Sequence, residues 1–331
     1  WGLFGTPPAP QRVSAASILP MPVPDLKRLW PLGLVILALI ALPLVADRFT
    51  VVLATDIIIF ALFAASLGLI MGAGGMASFG HAAYFGAGAY AAAVAAKAGA
   101  PFLVAVPAGV TFAGALAVLF GWFCVRLTGV SLAMLTLAFA QITWAIAFQW
   151  DSVTGGSNGL VGVWPPELLS GKTAYYFATL LLVGGAILLI WRSVHAPLGY
   201  LLRASRDSRI RAEAVGVDVR IIQWRAIIVA GAAAGLAGAL YVFSKGSLSP
   251  DSLSIPRSVD ALAMVLIGGV QTLVGPVVGA VVFMTLQDWV VRATPYWHAV
   301  LGITLLLITI IFPQGIVGTL RQWRQRREAE P

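Results

Sequence analysis

Long apolar runs separated by polar or glycine-rich breaks organise the chain from residue 30 onward. Hydropathy and helix breakers together predict ten spans, at 30–46, 51–71, 82–96, 101–123, 130–149, 174–191, 226–243, 258–270, 275–291 and 297–313. The third, eighth, ninth and tenth are shorter than a full crossing, which tilt, bilayer thinning or partial re-entry each accommodate. The fold class expected is all-α: a polytopic membrane helix bundle of about ten transmembrane helices, with short or broken helices near 72–81 and 268–276.

The stretch 67–90, LGLIMGAGGMASFGHAAYFGAGAY, is long and apolar enough to enter a bilayer. It is nevertheless broken by Gly72, Gly74, Gly75 and Gly80, with Ser78 and His81 among them. Backbone freed from a helix inside hydrocarbon costs several kcal/mol per unsatisfied group, so such breaks survive only inside protein or along a wet cavity. Glycine-interrupted hydrophobic segments also mark substrate paths in transporters. Transport is therefore the expected role.

Composition supports a membrane location. Hydrophobic residues make up 60% of the 331 residues and charged residues 10%, with a mean hydropathy of +0.92. The net charge of +8 would suggest nucleic acid in a soluble protein; here it is read loop by loop, and no nucleic-acid partner is expected. With the N-terminus inside, the outer segments keep Arg48, Lys97, Lys172, Lys245, Arg257 and Arg292, and the other fifteen of the 21 Lys and Arg fall on the inner side. Both termini are expected in the cytoplasm, and an odd number of spans would spoil this agreement. The single cysteine, Cys124, lies in an apolar run, so no internal disulfide is possible and a buried thiol is expected.

Three domains are expected: a Pro-rich cytoplasmic tail at 1–29, a membrane domain at 30–318 and a basic cytoplasmic tail at 319–331. The first tail reads as disordered or membrane-skimming; the apolar block after it is too long for a cleaved signal peptide. The longest polar insertion, 192–225, carries a helix-like stretch at 200–214 that ends at Gly216. It is either a headgroup-anchoring helix or a docking helix whose Arg residues and Glu213 set register with a cytoplasmic partner.

Three elements are candidates to line a path. They are the 72–81 break with Ser78 and His81; Thr136, Gln141 and Thr143 on the fifth span, the two threonines sharing a helical face; and the 268–279 break with Thr272. The first and third resemble each other, which suggests duplication, although the topology gives both copies one orientation. A lone histidine at the end of such a break, as His81 is, is more often hydrogen-bonded to backbone than functional. Asp56 lies about two turns from the outer end of its span, where an interfacial position avoids the cost of a buried charge. Gly231, Gly235 and Gly238 are spaced for close helix packing, which needs no substrate. The 154–158 turn either meets a soluble partner or caps the next segment.

Enzyme chemistry has little support. His81, His195 and His298 are far apart, and no metal-binding spacing occurs. Gly171-Lys172-Thr173 imitates the end of a phosphate loop, but Pro166 occupies the place of its first glycine.

The chain also resembles a family, the LivM-type permease subunits of ABC importers for branched-chain and related hydrophobic amino acids. The resemblance rests on Gly75-Met76-Ala77-Ser78-Phe79-Gly80-His81, Ala133-Met134-Leu135-Thr136-Leu137, Thr154-Gly155-Gly156-Ser157-Asn158-Gly159-Leu160, Pro197-Leu198-Gly199, Arg203-Ala204-Ser205-Arg206-Asp207, Arg211-Ala212-Glu213-Ala214-Val215-Gly216 and Gly268-Gly269 with Gly275-Pro276. These occur in the family's order and cover residues 50–318. The resemblance implies a bacterial inner-membrane importer with a second, LivH-like permease, two cytoplasmic ATPase subunits and an extracytoplasmic solute-binding protein. It implies no cofactor on this chain, ATP and Mg being used by the ATPases. It places ATPase coupling on Arg203, Arg206, Asp207, Arg211, Glu213 and Gly216. Related permeases for urea, amides or other small neutral solutes share most of these motifs. An ion-coupled carrier would call for paired intramembrane acids or histidines, and a membrane enzyme for a catalytic cluster.

Overall fold

The computed structural model describes residues 30–312, 314–320 and 323. The 1–29 tail and most of the 319–331 tail lie outside them. Helix α1 (Trp30–Val45) is a compact unit of its own, an apolar helix with Pro43 near its end.

The second unit begins with α2 (Arg48–Gly68), which runs on into a π turn (Leu69–Ala73), followed by α3 (His81–Lys97), α4 (Phe102–Cys124), α5 (Gly129–Gln149) and the one-turn α6 (Asp151–Thr154). Then come α7 (Lys172–His195), α8 (Pro197–Asp207), α9 (Arg209–Ala214), α10 (Val219–Lys245), α11 (Ile255–Gly268), α12 (Gly275–Ala293) and α13 (Trp297–Ile311). One antiparallel pair, β1 (Leu160–Val161) with β2 (Ser247–Leu248), joins two loops, with Leu160 opposite Leu248. The fold is all-α with this single exception.

Each of the ten apolar segments is helical. Six helices are long and apolar enough to cross a membrane: α2 with its π turn, α4, α5, α7, α10 and α12. The ninth segment, expected to be short, forms the 19-residue α12. It continues past Arg292 because that residue pairs with Asp288 one turn back, 3.1 Å away. The first segment forms only 16 residues of helix.

Burial separates a centre from a shell. The apolar windows of α2 and α10 are 78% and 72% buried, against 22% for α5. Helices that are apolar all round belong inside such a bundle. Small residues let α10 sit against α3 and α4. Gly231 faces Ala117, Gly235 faces Ala113, and a Cβ at Gly238 would fall on the Phe85 carbonyl. Phe60, Phe63, Phe85 and Tyr241 fill the space between α2, α3 and α10. Cys124 is buried at the end of α4.

Two departures from the expected elements matter. The 200–214 stretch is not one helix. It starts at Pro197, whose fixed backbone suits a first turn, and divides at Ser208 into α8 and α9. Ser208 is extended (φ −162°, ψ 105°), and its Oγ accepts from Arg211 N, so a local side-chain bond starts a second helix where the first would have continued. The second departure follows α10, which closes on Gly246 in the left-handed conformation. The chain then re-enters the bundle: Pro250, Ser252 and Leu253 are buried, and Leu253 packs on Gly86 of α3. Helix α11 thus starts at depth, which accounts for its 14 residues.

The two glycine breaks meet. A Cβ at Gly72 would fall on the carbonyl of Val270, and Gly68 sits against Pro276. Helix α3 runs antiparallel to α2, as the Ser66–His81 and Phe60–Phe85 contacts require. Helix α12 does the same, with Gly68 near Pro276 and Phe49 under Arg292. The two similar segments therefore share one direction.

Candidate functional site

The break after α2 opens the helical hydrogen-bond ladder, and its freed groups find partners on three other helices. The Gly72 carbonyl accepts from Arg206 Nη1 of α8 at 2.6 Å. The Phe79 amide donates to Thr136 Oγ1 of α5 at 3.1 Å, and the Ala82 amide to Ser258 Oγ of α11 at 2.9 Å. Buried backbone groups demand partners, so the break is tied to α5, α8 and α11 at once. Gly75 has φ +65° and lies under the aliphatic part of Arg206, where a Cβ would collide with Cγ. Gly74 lies near the fully buried Leu202 of α8.

His81 stands at the start of α3, fully buried, with Nε2 2.8 Å from Ser66 Oγ. Ser66 spends its only proton on the Phe63 carbonyl at 2.7 Å, so His81 is the donor, through Nε2–H. Its ring stacks on Phe63 and meets Tyr84 edge-on. The expected backbone partner is thus replaced by a serine side chain, and the imidazole serves packing between α2 and α3.

The other path candidates divide. Ser78 and Thr136 are buried at the break. Thr143 is half-buried and bonds the Phe139 carbonyl of its own helix, while Gln141 is exposed. Thr272 accepts from Gly275 N, the first amide of α12, at 3.0 Å and donates to the Gly269 carbonyl, so its hydroxyl is spent on the backbone of the turn before that helix. Only Ser78, His81 and Thr136 come together.

The six residues expected to couple to an ATPase also divide. Arg203 donates to the carbonyls of Gly199 and Val194, closing the α7–α8 corner. Arg206 pairs with Asp207 at 3.0 Å while holding Gly72. Arg211, Glu213 and Gly216 are exposed on and after α9, beside Ile210 and Val215, which are 81% and 83% exposed. Glu213 pairs with Arg209 at 2.8 Å. One side of this insertion grips the bundle and the other is free.

At the opposite end of α2 lies a cluster that sequence reasoning missed. Asp56, expected at an interface, is instead buried and bonded to Lys245 Nζ at 2.6 Å. Lys245, just past the apolar run at 226–243, is the last residue of α10, which reaches further than that run, and it returns the side chain to α2. Arg257 lies over Phe60 at 5.1 Å and near Asp260 at 3.6 Å. An acid within a span with a cation just past a neighbouring span's end was the available signal. The 154–158 turn belongs to the same end: Thr154 Oγ1 bonds the Ala147 and Trp150 carbonyls and closes α5.

Among the described residues no group of three or more His, Cys, Asp or Glu is placed to hold a metal. Six crossing-length apolar helices around a glycine-broken centre define a multi-pass membrane protein. The profile of the family described as branched-chain amino acid transport system / permease component matches residues 49–309. The chain belongs to this family of transport permeases, which is not a family of enzymes. Among curated proteins it is 27% identical to the high-affinity branched-chain amino acid transport system permease protein LivM of Escherichia coli (strain K12), over 89% of this chain and 76% of the relative. It is 26% identical, with the same coverage, to the LivM protein of Salmonella typhimurium. No solved structure matches.

Proposed function

We propose that this chain is the membrane permease subunit of an ATP-driven, binding-protein-dependent importer, and that it passes branched-chain or related small hydrophobic amino acids across a bacterial inner membrane. Its partners are a second, LivH-like permease, two cytoplasmic ATPases that use ATP and Mg, and an extracytoplasmic solute-binding protein. The chain itself binds no cofactor. Both termini face the cytoplasm, the 192–225 insertion is the coupling loop of the 30–318 membrane domain, and the 1–29 and 319–331 segments are tails.

The observation that supports this reading most is the bond from Arg206 to the Gly72 carbonyl. It joins a polar surface helix directly to the interruption in the central span. A displacement of α8 has to reach the backbone where α2 loses its helical bonding, which is the linkage a permease driven from outside requires. The free face of α9, with Arg211, Glu213 and Gly216, is the ATPase contact.

The test is reconstitution of the chain with its partner permease, ATPases and receptor in proteoliposomes. ATP-dependent leucine uptake is the expected result. Uptake of urea or acetamide in its place would reassign the cargo, and uptake by this chain alone under an ion gradient would overturn the importer reading. Arg211→Glu combined with Glu213→Arg is expected to abolish uptake while the protein still inserts and folds, because neither side chain faces the bundle.

A further inference from the structure

A cavity of about 380 Å³ lies at the Asp56–Lys245 end of the molecule, between the 154–160 loop and the segment that re-enters after α10. This is the low end of the range for small-molecule pockets, about 300–1,000 Å³. Asn158, Tyr241, Lys245, Ser249 and Ser252 give its wall an amide, hydroxyl groups and one cation, and the cross-strand neighbours Leu160 and Leu248 give it an apolar side. Lys245 is the only charged residue on that wall.

Three features set Lys245 up for an anionic group. Its ammonium has three donors, and among the described residues only Asp56 takes one, at 2.6 Å. That buried carboxylate holds the side chain in place. Arg257 stands behind the same wall, 5.9 Å from the ring of Tyr241, with its charge paired to Asp260 at 3.6 Å. The re-entrant backbone matters as well: irregular chain within a membrane protein's interior persists where it lines a cavity or is buried in protein, and Ser252 does both.

We propose that this cavity receives the carboxylate of the transported amino acid, with Lys245 as its counter-charge, an inference that rests on the importer reading above. Lys245 and the hydroxyl of Ser252 hold the polar head, Ser249 donating instead to Asp251, and Leu160 and Leu248 face the side chain. The buried turn at 250–253 leads from the cavity toward α3 and the break at its start.

The experiment uses the whole importer in membrane vesicles. A Ser249→Cys thiol is placed on the cavity wall in a Cys124→Ala background, Cys124 being the single cysteine of the sequence, and maleimide labelling of this chain, separated from its partners on a gel, is timed. Leucine at about ten times its Kd is expected to slow labelling about tenfold, since roughly one cavity in ten is then empty. Leucinamide, which lacks the carboxylate, is expected to leave the rate unchanged. In the Asp56→Asn, Lys245→Gln double variant, which removes both charges together and so leaves none unpaired, leucine is expected to lose its effect. Equal protection by leucinamide, or protection that survives the double variant, overturns the assignment. Protection that requires the receptor but not leucine overturns it in favour of a receptor dock. Uptake measured in the same vesicles separates the two levels: leucine uptake without protection removes the subsite alone, whereas no leucine uptake removes the importer reading beneath it.

Discussion

At one end of α2 the Gly72 carbonyl takes a hydrogen bond from Arg206; at the other, the Asp56 carboxylate takes one from Lys245. Both are cation-to-oxygen bonds of 2.6 Å reaching into the central helix, yet they stand on different footing. The Asp56 pair is two side chains, and removing both leaves a neutral site. The Gly72 carbonyl is backbone, exposed by a π turn, and no substitution at position 72 removes it. One end is electrostatic and replaceable; the other is built into the course of the chain and is answered from α8, a helix at the edge of the bundle. A cation at a carboxylate secures a fold, whereas a cation at a broken ladder joins a fold to whatever moves that cation.

Four single substitutions and one double variant probe this contrast. Lys245→Met leaves Asp56 buried without its partner and is expected to cost about 3 kcal/mol, the low end for a broken buried pair because Lys245 is partly exposed. Adding Asp56→Asn should recover most of that loss, and denaturant unfolding in detergent reads both. Arg206→Ala at the other end is expected to cost about 2 kcal/mol by the same measurement, the scale of a charged hydrogen bond into a buried acceptor. No second substitution at position 72 should rescue it; a rescuing change there would end the contrast. ATP hydrolysis uncoupled from uptake is the functional counterpart of that variant. Ser258→Ala, which frees only the Ala82 amide, is expected to cost about 1 kcal/mol. Smallest is Arg211→Ala on the free face of α9, expected within about 0.5 kcal/mol of the parent while uptake falls.

Much of this was legible in sequence. Apolar runs of crossing length announce helices because only a helix satisfies its own backbone in lipid, and every such run here is helical. The glycine break was visible because Gly72, Gly74 and Gly75 in an apolar run have no helical justification. What joins the break to its neighbours was not. Thr136 was noted for sharing a face with Thr143, yet its function is to accept the Phe79 amide, a pairing across 57 positions that no periodicity encodes. Ser258 and Lys245 were invisible for the same reason. The span bound at 243 also fell short of Lys245, since a cation just beyond an apolar run looks like loop until the helix is seen to include it. The division of the proposed coupling residues into Arg203, Arg206 and Asp207 on one side and Arg211, Glu213 and Gly216 on the other depends on the bend at Ser208. Helix propensity alone does not forbid a serine from continuing a helix.

The wide turn Leu69–Ala73 has a mechanical corollary. A π turn accommodates one residue more than the α-helical turn it interrupts. Rewinding it would swing everything beyond by about 100° and change the rise by about 1.5 Å, the step of a single residue. The guanidinium bonded at Gly72 sits on that surplus residue's coil, so the central helix keeps one notch of slack where it is held from outside.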